Sequence, residues 1–245
     1  MTLFAAAVLV GALLTPVAPE YVALGDSYAS GVGAGGTHGE CRRTENAYPA
    51  LYGKAFPSFR FAACTGATTA DVIANQVGEL TPATTLVTIT VGGNDLGFTD
   101  VMTTCVLNGE RSCLKAVAKA VEFVGSGLPP RLDTTYAAIR ERAPRAKLVV
   151  VGYPRLFENT PRCPALNAAK RAALNGAADR LSEVTAARAA AAGAVYVDGR
   201  TVFAGHGVCA ADPWINGLTR PVANSYHPNR KGQQGYFEAL TAATS

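Results

Sequence analysis

The sequence predicts a single α/β domain built on a parallel β-sheet. Four or five short apolar, β-branched runs alternate with longer segments of helical periodicity, which is typical of βαβ units whose sheet is covered on both faces. With 245 residues, 49% of them hydrophobic and 16% charged, the chain can close around one core. The predicted strands are residues 21–24, 59–62, 86–91, 147–151 and 194–197, and the predicted helices are 47–55, 129–142, 164–192 and 229–242.

The charges point away from nucleic acid. The chain has 22 basic and 18 acidic residues, for a net charge of +4. The basic residues are spread along the chain, as in Arg140, Arg142 and Arg145, without a dense run. Because a nucleic-acid site needs clustered cations, we interpret these residues as solvated helix faces and expect no nucleic-acid partner.

The N-terminus differs from the rest of the chain. An uninterrupted apolar stretch runs over residues 3–14, and proline and small residues follow it, as in the apolar region and cleavage zone of a signal peptide. The stretch is shorter than the roughly 20 residues that span a bilayer, so no stable membrane insertion is expected. We expect residues 1–19 to be a signal peptide or its remnant and residues 20–245 to form the domain. The first basic residue is Arg42, so the basic n-region is absent, and a buried N-terminal strand or helix is the alternative.

The cysteines indicate an oxidising compartment. There are six of them, an even number, and none forms a CxxC pair, which favours three disulfides over zinc or redox chemistry. Together with the N-terminal stretch they predict a secreted, extracellular protein. His206 and Cys209 form the nearest metal-like pattern, but two ligands without a second pair make a weak site, so no metal is expected.

Chemically useful residues follow the predicted strands. Ser27 comes on a turn after the first strand, Gly66 after the second and Asn94 after the third, while His227 stands near the C-terminus. Ligands of open parallel sheets bind beyond the carboxyl ends of the strands, so these segments are expected to meet at one rim. A serine there has backbone N–H groups nearby to stabilise a developing negative charge.

The segments GDSYASG, CTGATT, VGGND and HPNRKGQ carry a family resemblance. In this order they resemble the four sequence blocks of the SGNH, or GDSL, hydrolases, over about residues 21–237. The cysteine-rich form resembles the secreted esterases and lipases of actinobacteria. The resemblance implies a flavodoxin-like three-layer α/β/α sandwich with a five-stranded parallel sheet. It also implies hydrolysis of carboxylic esters, of small molecules or of lipids, without a metal or an organic cofactor, and we expect a monomer.

The same resemblance assigns roles to four residues. Ser27 matches the nucleophile that forms an acyl-enzyme, and His227 matches the general base. The N–H groups of Ser27 and Gly66 and the side chain of Asn94 match the oxyanion hole. The substrate stays open among short-chain esters, triacylglycerols, phospholipids and acetylated polysaccharides.

One position departs from the family pattern. Many members have Asp three residues before the histidine, whereas this chain has Asn224. Some actinobacterial relatives orient the histidine with a backbone carbonyl, and the similarity of residues 224–227 to them suggests a Ser–His dyad. Without a carboxylate partner, we expect His227 to titrate near its ordinary pKa of about 6.5. The possible carboxylate substitutes are Asp26, Asp95, Asp198 and Asp212, of which Asp26 and Asp95 are better explained as loop-shaping acceptors.

We also state a hypothesis for the disulfides. It pairs Cys41 with Cys64, Cys105 with Cys113, and Cys163 with Cys209. The first pair would tie the loop after strand one to the loop after strand two, and so hold Ser27 and Gly66 together. The second pair would close a short local loop.

Other interpretations remain to be weighed. Residues 31–36 satisfy GxGxxG, but no apolar helical stripe follows and no ribose-binding acid ends the second strand, which argues against a dinucleotide site. The absence of GxSxG argues against an α/β-hydrolase nucleophile elbow. Taken singly, Ser27 is explained as a turn serine, Asn94 as an Asx-turn former, and His227 as the residue before a helix-starting Pro228.

The other function class is a non-catalytic, secreted cell-wall or glycan-binding module of the same fold. Such a module is expected to have degraded site residues, whereas all four blocks are intact here. Finally, we expect a long loop between Asp95 and Pro130, with core packing and an acyl-binding wall as equally good explanations of its apolar residues. These residues are Leu96, Phe98, Met102, Phe123, Val124 and Leu128.

Overall fold

A five-stranded parallel sheet lies at the centre of the molecule. The structure is a computed structural model, which describes residues 18–161 and 163–245. The strands are β1 (Glu20–Gly25), β2 (Ser58–Phe61), β3 (Leu86–Thr90), β4 (Lys147–Val151) and β5 (Val195–Val197). All neighbouring pairs are parallel, in the order β2-β1-β3-β4-β5. This is the flavodoxin-like doubly wound order, and it confirms the predicted fold class.

Helices cover both faces of the sheet. Two short helices flank the start of the chain, α1 (Ser27–Ser30) and α2 (Tyr48–Gly53). The remaining helices are α3 (Thr69–Asn75), α4 (Phe98–Leu107), α5 (Glu110–Ser126), α6 (Leu128–Arg142), α7 (Ala168–Ala191), α8 (Gly199–Val202) and α9 (Arg230–Thr244). Single 3-10 turns lie at Val77–Glu79 and Val222–Asn224.

The core lies in two layers, because successive strand residues point to opposite faces. Tyr21 of β1 packs in the layer that contains Tyr48 of α2 and Tyr236 of α9. The next residue, Val22, packs in the layer that contains Leu132 of α6. All of these side chains are buried, and each contributes about 1.5–3 kcal/mol to folding through burial of apolar surface.

Side-chain caps set several helix starts. Asn167 accepts a hydrogen bond from the Lys170 N–H at 3.0 Å, so α7 begins at Ala168 rather than at the predicted residue 164. Thr68 and Asp71 form a capping box at α3, a short helix that the sequence analysis did not predict. Asn229 caps α9, so Pro228 lies outside the helix.

The predicted long loop between Asp95 and Pro130 is wrong. The segment forms α4, α5 and the first turn of α6. Within α5, Val117, Ala120 and Val124 recur at three-to-four spacing and are buried against the core. This amphipathic spacing stabilises a helix because it places the apolar residues on one face.

Two findings concern the membrane and the N-terminus. The predicted signal segment, residues 1–19, lies outside the described residues apart from Ala18 and Pro19. Over residues 18–161 and 163–245, no helix is long and apolar enough to cross a membrane.

The point where the chain changes direction positions the site. β1 and β3 are neighbours, and the chain leaves their carboxyl ends toward opposite sides of the sheet. Gly25, at the end of β1, has a φ of +128°, and a Cβ there would lie 2.4 Å from the Thr90 carbonyl oxygen of β3. The Gln76 side chain binds both the N–H and the carbonyl of Gly25, at 2.7 and 2.9 Å. Only glycine fits this close crossing, which fixes where the next residues emerge.

Candidate active site

Ser27 emerges at the carboxyl end of β1 as the first residue of α1. Asp26 caps the helix, since its Oδ1 accepts a hydrogen bond from the Tyr28 N–H at 2.9 Å. The cap and the short strand-to-helix turn hold the Ser27 backbone in place. The Ser27 side chain lies at the base of an open cleft, with 8% of the residue exposed.

His227 contacts Ser27 from the opposite end of the chain. Its Nε2 lies 2.8 Å from Ser27 Oγ. Its Nδ1 lies 2.9 Å from the carbonyl oxygen of Ser225. Because a carbonyl can only accept, Nδ1 carries the proton, and Nε2 is left to accept from the serine hydroxyl.

The surroundings of His227 favour the neutral imidazole. Burial lowers its pKa from 6.5 to about 4, and the positive charge of Arg42 lowers it further, while the hydrogen bond to Ser225 opposes both. The expectation of an ordinary pKa near 6.5 is therefore wrong. Its error was to consider only the missing carboxylate and not the desolvation of the ring.

Gly66 and Asn94 border the same cleft as Ser27 and His227. Gly66 has a φ of +79°, and a Cβ there would meet no atom within 4 Å, so its backbone is open to a ligand. The Asn94 side-chain nitrogen donates to the Ala67 carbonyl at 2.9 Å. An amide has two N–H groups, so this bond orients Asn94 and leaves its second N–H for another acceptor.

Tyr153 is a site residue that the sequence analysis missed. It follows β4, and its hydroxyl donates to the Asp26 carboxylate and accepts from the Gly93 N–H at 3.0 Å. One side chain thus links the residue before Ser27 to the residue before Asn94. The rule that chemistry follows strand ends would have found it, had it been applied to the fourth strand.

Asp26 is buried beside this tyrosine, with 1% of the residue exposed. Burial raises the pKa of its carboxyl to about 7, although the hydrogen bonds from Tyr153 and from the Tyr28 N–H lower it. Asp26 acts as a cap and as an acceptor for Tyr153.

The other carboxylates have partners of their own. Asp95 accepts from the Thr69 N–H and hydroxyl at 2.9 and 2.6 Å. Asp198 pairs with Arg200, and Asp212 pairs with Lys231. Within the described part of the chain, no carboxylate is hydrogen-bonded to His227, whose contacts are Ser27 and Ser225.

Asn224 does not reach the histidine ring either. Its Oδ1 accepts from Arg42 at 2.8 Å, and its carbonyl accepts from the Asn216 side chain at 3.3 Å. The family position that usually holds Asp is used here to anchor a loop and to hold a cation near the site.

The cleft that ends at Ser27 is mainly apolar. Phe98, Met102 and Val106 of α4 line its interior, and residues 222–227 line the opposite side. The predicted apolar wall therefore exists in part, but on a helix. Val124 and Leu128, which the same prediction included, are buried in the core instead.

Three disulfides join the segments, in the pairs named in the sequence hypothesis. They are Cys41–Cys64, Cys105–Cys113 and Cys163–Cys209. The first links the loop after β1 to the loop that carries Gly66. Among the described residues, no group of three or more His, Cys, Asp or Glu side chains could hold a metal ion, and His206 stacks on Trp214.

Comparison with known proteins identifies the family. The GDSL-like Lipase/Acylhydrolase model matches residues 23–234. Lipase 1 of Streptomyces coelicolor is 47% identical and covers 99% of this chain and 95% of its own length. Two crystal structures, phospholipase A1 from Streptomyces albidoflavus NA297 and an extracellular lipase from Streptomyces rimosus, are each 48% identical with a TM-score of 0.90. Each alignment covers 92% of this chain, with 99% and 100% of the respective structures. The chain therefore belongs to the GDSL-like lipase/acylhydrolase family and is an ester hydrolase of the GDSL type.

Proposed function

We propose that the protein is a secreted serine hydrolase that cleaves carboxylic esters of lipids through an acyl-enzyme on Ser27. The observation that carries this proposal is the hydrogen-bonded chain from Ser27 Oγ through His227 to the Ser225 carbonyl. It supplies a nucleophile, a base that is neutral at physiological pH, and an acceptor that fixes the tautomer of the base.

In the first step, His227 Nε2 takes the hydroxyl proton as Ser27 Oγ bonds to the ester carbonyl carbon. The oxyanion lies among the N–H groups of Ser27 and Gly66 and the free Asn94 N–H. Collapse of the tetrahedral intermediate breaks the bond to the alcohol oxygen, which receives the proton from His227. Water then repeats these steps on the acyl-enzyme and releases the carboxylic acid.

The apolar cleft supports a lipid substrate. Phe98, Met102 and Val106 offer an acyl chain an apolar wall that leads to Ser27. The relatives named as lipases and as a phospholipase A1 agree with this substrate class. Every residue of the proposed site comes from one chain, so a monomer without a cofactor suffices.

Secretion is part of the same proposal. Three disulfides suit an oxidising compartment, and the relative from Streptomyces rimosus is described as extracellular. N-terminal sequencing of protein recovered from the culture medium of a Streptomyces host should give a start near Glu20. Retention of the full chain inside the cells would contradict this part.

The mechanism is tested on a chromogenic short-chain ester. Ser27→Ala and His227→Ala should each remove nearly all turnover, because either loss disables the same proton-transfer unit. Ser30→Ala is the matched control, since Ser30 lies one turn away, and its Oγ donates to the Ser27 carbonyl and not to His227. A phosphonate ester should form one adduct, located on Ser27 by peptide mass spectrometry. Full activity of folded Ser27→Ala, or no turnover by the native protein as for a binding module, would refute the mechanism.

A further inference from the structure

The most exposed large apolar side chains of the described residues surround one opening. Leu107 is 75% exposed, Val222 67% and Leu218 61%, whereas the next, Ile73 and Leu114, are 37% and 36% exposed. Leu107, Leu218 and Val222 all border the cleft that ends at Ser27, and we call these three residues the apolar rim. Ile73 and Leu114 lie outside it. Exposed apolar groups gathered at one place mark an interaction surface.

The α4 side of the rim is held in place. Leu107 is the last residue of α4, two residues after Cys105, which is bonded to Cys113. The buried Lys170 ammonium donates to the carbonyls of Cys105 and Asn108, at 2.8 and 2.7 Å. Leu107 therefore stays exposed on a fixed backbone.

The loop side is held as well. The Ser225 hydroxyl accepts from the Thr219 N–H at 2.9 Å, which closes the loop that contains Leu218 and Val222. The Asn216 side chain donates to the carbonyls of Gly33 and Asn224, at 3.0 and 3.3 Å. Both sides of the opening are thus preformed, and no rearrangement is needed to present the apolar rim.

The charges near the apolar rim are balanced. The rim segments, α4 and residues 218–223, carry one acid, Asp100, and one base, Arg220, both exposed. A surface of this kind does not match a strongly anionic or cationic partner. It matches an uncharged or zwitterionic apolar phase, into which apolar side chains insert without stripping water from a charge.

We propose that the apolar rim docks on a zwitterionic lipid surface, so that an acyl chain passes from the lipid into the cleft without crossing water. The inference rests on the proposed function and extends it from the ester bond to the physical state of the substrate. Beyond the rim, the apolar wall of Met102 and Val106 continues toward Ser27. A soluble ester reaches Ser27 without covering the rim, so the two substrate forms should respond differently to rim substitutions.

The test uses phosphatidylcholine vesicles and a water-soluble short-chain ester. Leu107→Ser, Leu218→Ser and Val222→Ser, singly and together, are compared with Ile73→Ser and Leu114→Ser, which remove exposed apolar groups elsewhere. Binding is measured by vesicle flotation in the Ser27→Ala background, so that the vesicles stay intact. Each rim substitution should weaken binding about tenfold, and the triple variant should abolish it. Turnover of the soluble ester should stay within about twofold of the native value, since the rim lies at the mouth.

Salt and oligomeric state separate the alternatives. Binding should change little between about 0.05 and about 0.5 M salt, where screening removes charge-driven attraction. Vesicle binding by the triple variant equal to that of the native protein would overturn the proposal, as would an equal loss in the Ile73 and Leu114 variants. Binding restricted to anionic vesicles would identify a charged partner, and a dimer in sedimentation that the triple variant dissociates would identify a second copy. If Ser27→Ala kept soluble-ester turnover, the proposed function would fail instead.

Discussion

The Tyr153 hydroxyl donates a hydrogen bond to the Asp26 carboxylate, and both groups are buried beside the Ser27 turn. The same hydroxyl accepts from the Gly93 N–H. Tyr153 therefore connects the loops after β1 and β3, which carry the proposed nucleophile and one proposed oxyanion donor. Its position depends on β4 lying next to β3 in the sheet.

Tyr153→Phe should lower kcat by about tenfold and change KM little, because Asn94 loses its fixed distance from Ser27 while the cleft keeps its lining. Two buried groups also lose their partner, which should cost about 1–3 kcal/mol of stability. Steady-state kinetics and denaturant unfolding measure both effects. Tyr136→Phe is the control, because Tyr136 is equally buried and its hydroxyl has no hydrogen-bond partner among the described residues. Equal kinetics for the two variants would mean that Tyr153 only fills space.

Asn94→Ala should reduce kcat by about 10²- to 10³-fold with a small change in KM, because it removes a preorganised donor to the oxyanion. The variant also loses the bond to Ala67, so folding is checked by thermal unfolding. Asn175→Ala is matched, since Asn175 ties a loop through its hydrogen bonds to Phe157 but lies outside the cleft. A kcat within a few-fold of the native value would reduce Asn94 to a turn residue.

Asn224→Ala should keep most activity, because the acceptor for His227 Nδ1 is the Ser225 carbonyl, which no side-chain truncation removes. Asp198→Ala and Asp212→Ala should behave alike, since these carboxylates bind Arg200 and Lys231. Initial rates on the soluble ester are sufficient. Loss of turnover in folded Asn224→Ala, or a loss in any aspartate variant equal to that of His227→Ala, would replace the dyad with a triad.

The pH profile follows from the burial of His227, whose pKa is lowered to about 4. The base is neutral above that value, so kcat/KM should hold from about pH 8 to about pH 5 and fall below, reversibly on return to neutral pH. Arg42→Gln removes a positive charge that lowers this pKa, so the acid limb should move to higher pH. A limb near pH 6.5 in the native protein would contradict the burial argument. A limb near pH 7 that Asp26→Asn removes would belong to Asp26, whose pKa is about 7.

Removing the Cys41–Cys64 bridge by paired Cys→Ser substitutions should lower stability by about 2–5 kcal/mol and reduce kcat as well, since Gly66 follows Cys64 closely. The Cys105–Cys113 pair is the control, because it closes a local loop of 8 residues and should affect stability with little effect on soluble-ester turnover. Peptide mapping without reduction checks the three pairs first. Other pairings, or free thiols, would refute the hypothesis.

The fold was predictable because its signals are local. The apolar runs match the strands to within one residue at most ends, and β4 is matched at both ends, Lys147–Val151. Helices α1, α4 and α5 were missed. The first is too short for a periodic pattern, and the other two lie in a segment read as a loop, although the face of Val117, Ala120 and Val124 was available in the sequence.

The sequence by itself determined which residues follow the strands, and therefore that Ser27, Gly66 and Asn94 would approach one edge of the sheet. Parallel topology forces that meeting whatever the details of packing. Only the tertiary structure decided that the Ser225 carbonyl orients His227, that Tyr153 joins Asp26 to Gly93, and that burial lowers the pKa of the base. These features depend on contacts between residues far apart in the chain, 200 positions in the case of Ser27 and His227. Desolvation and hydrogen-bond geometry arise only when such segments pack together, so no local pattern encodes them.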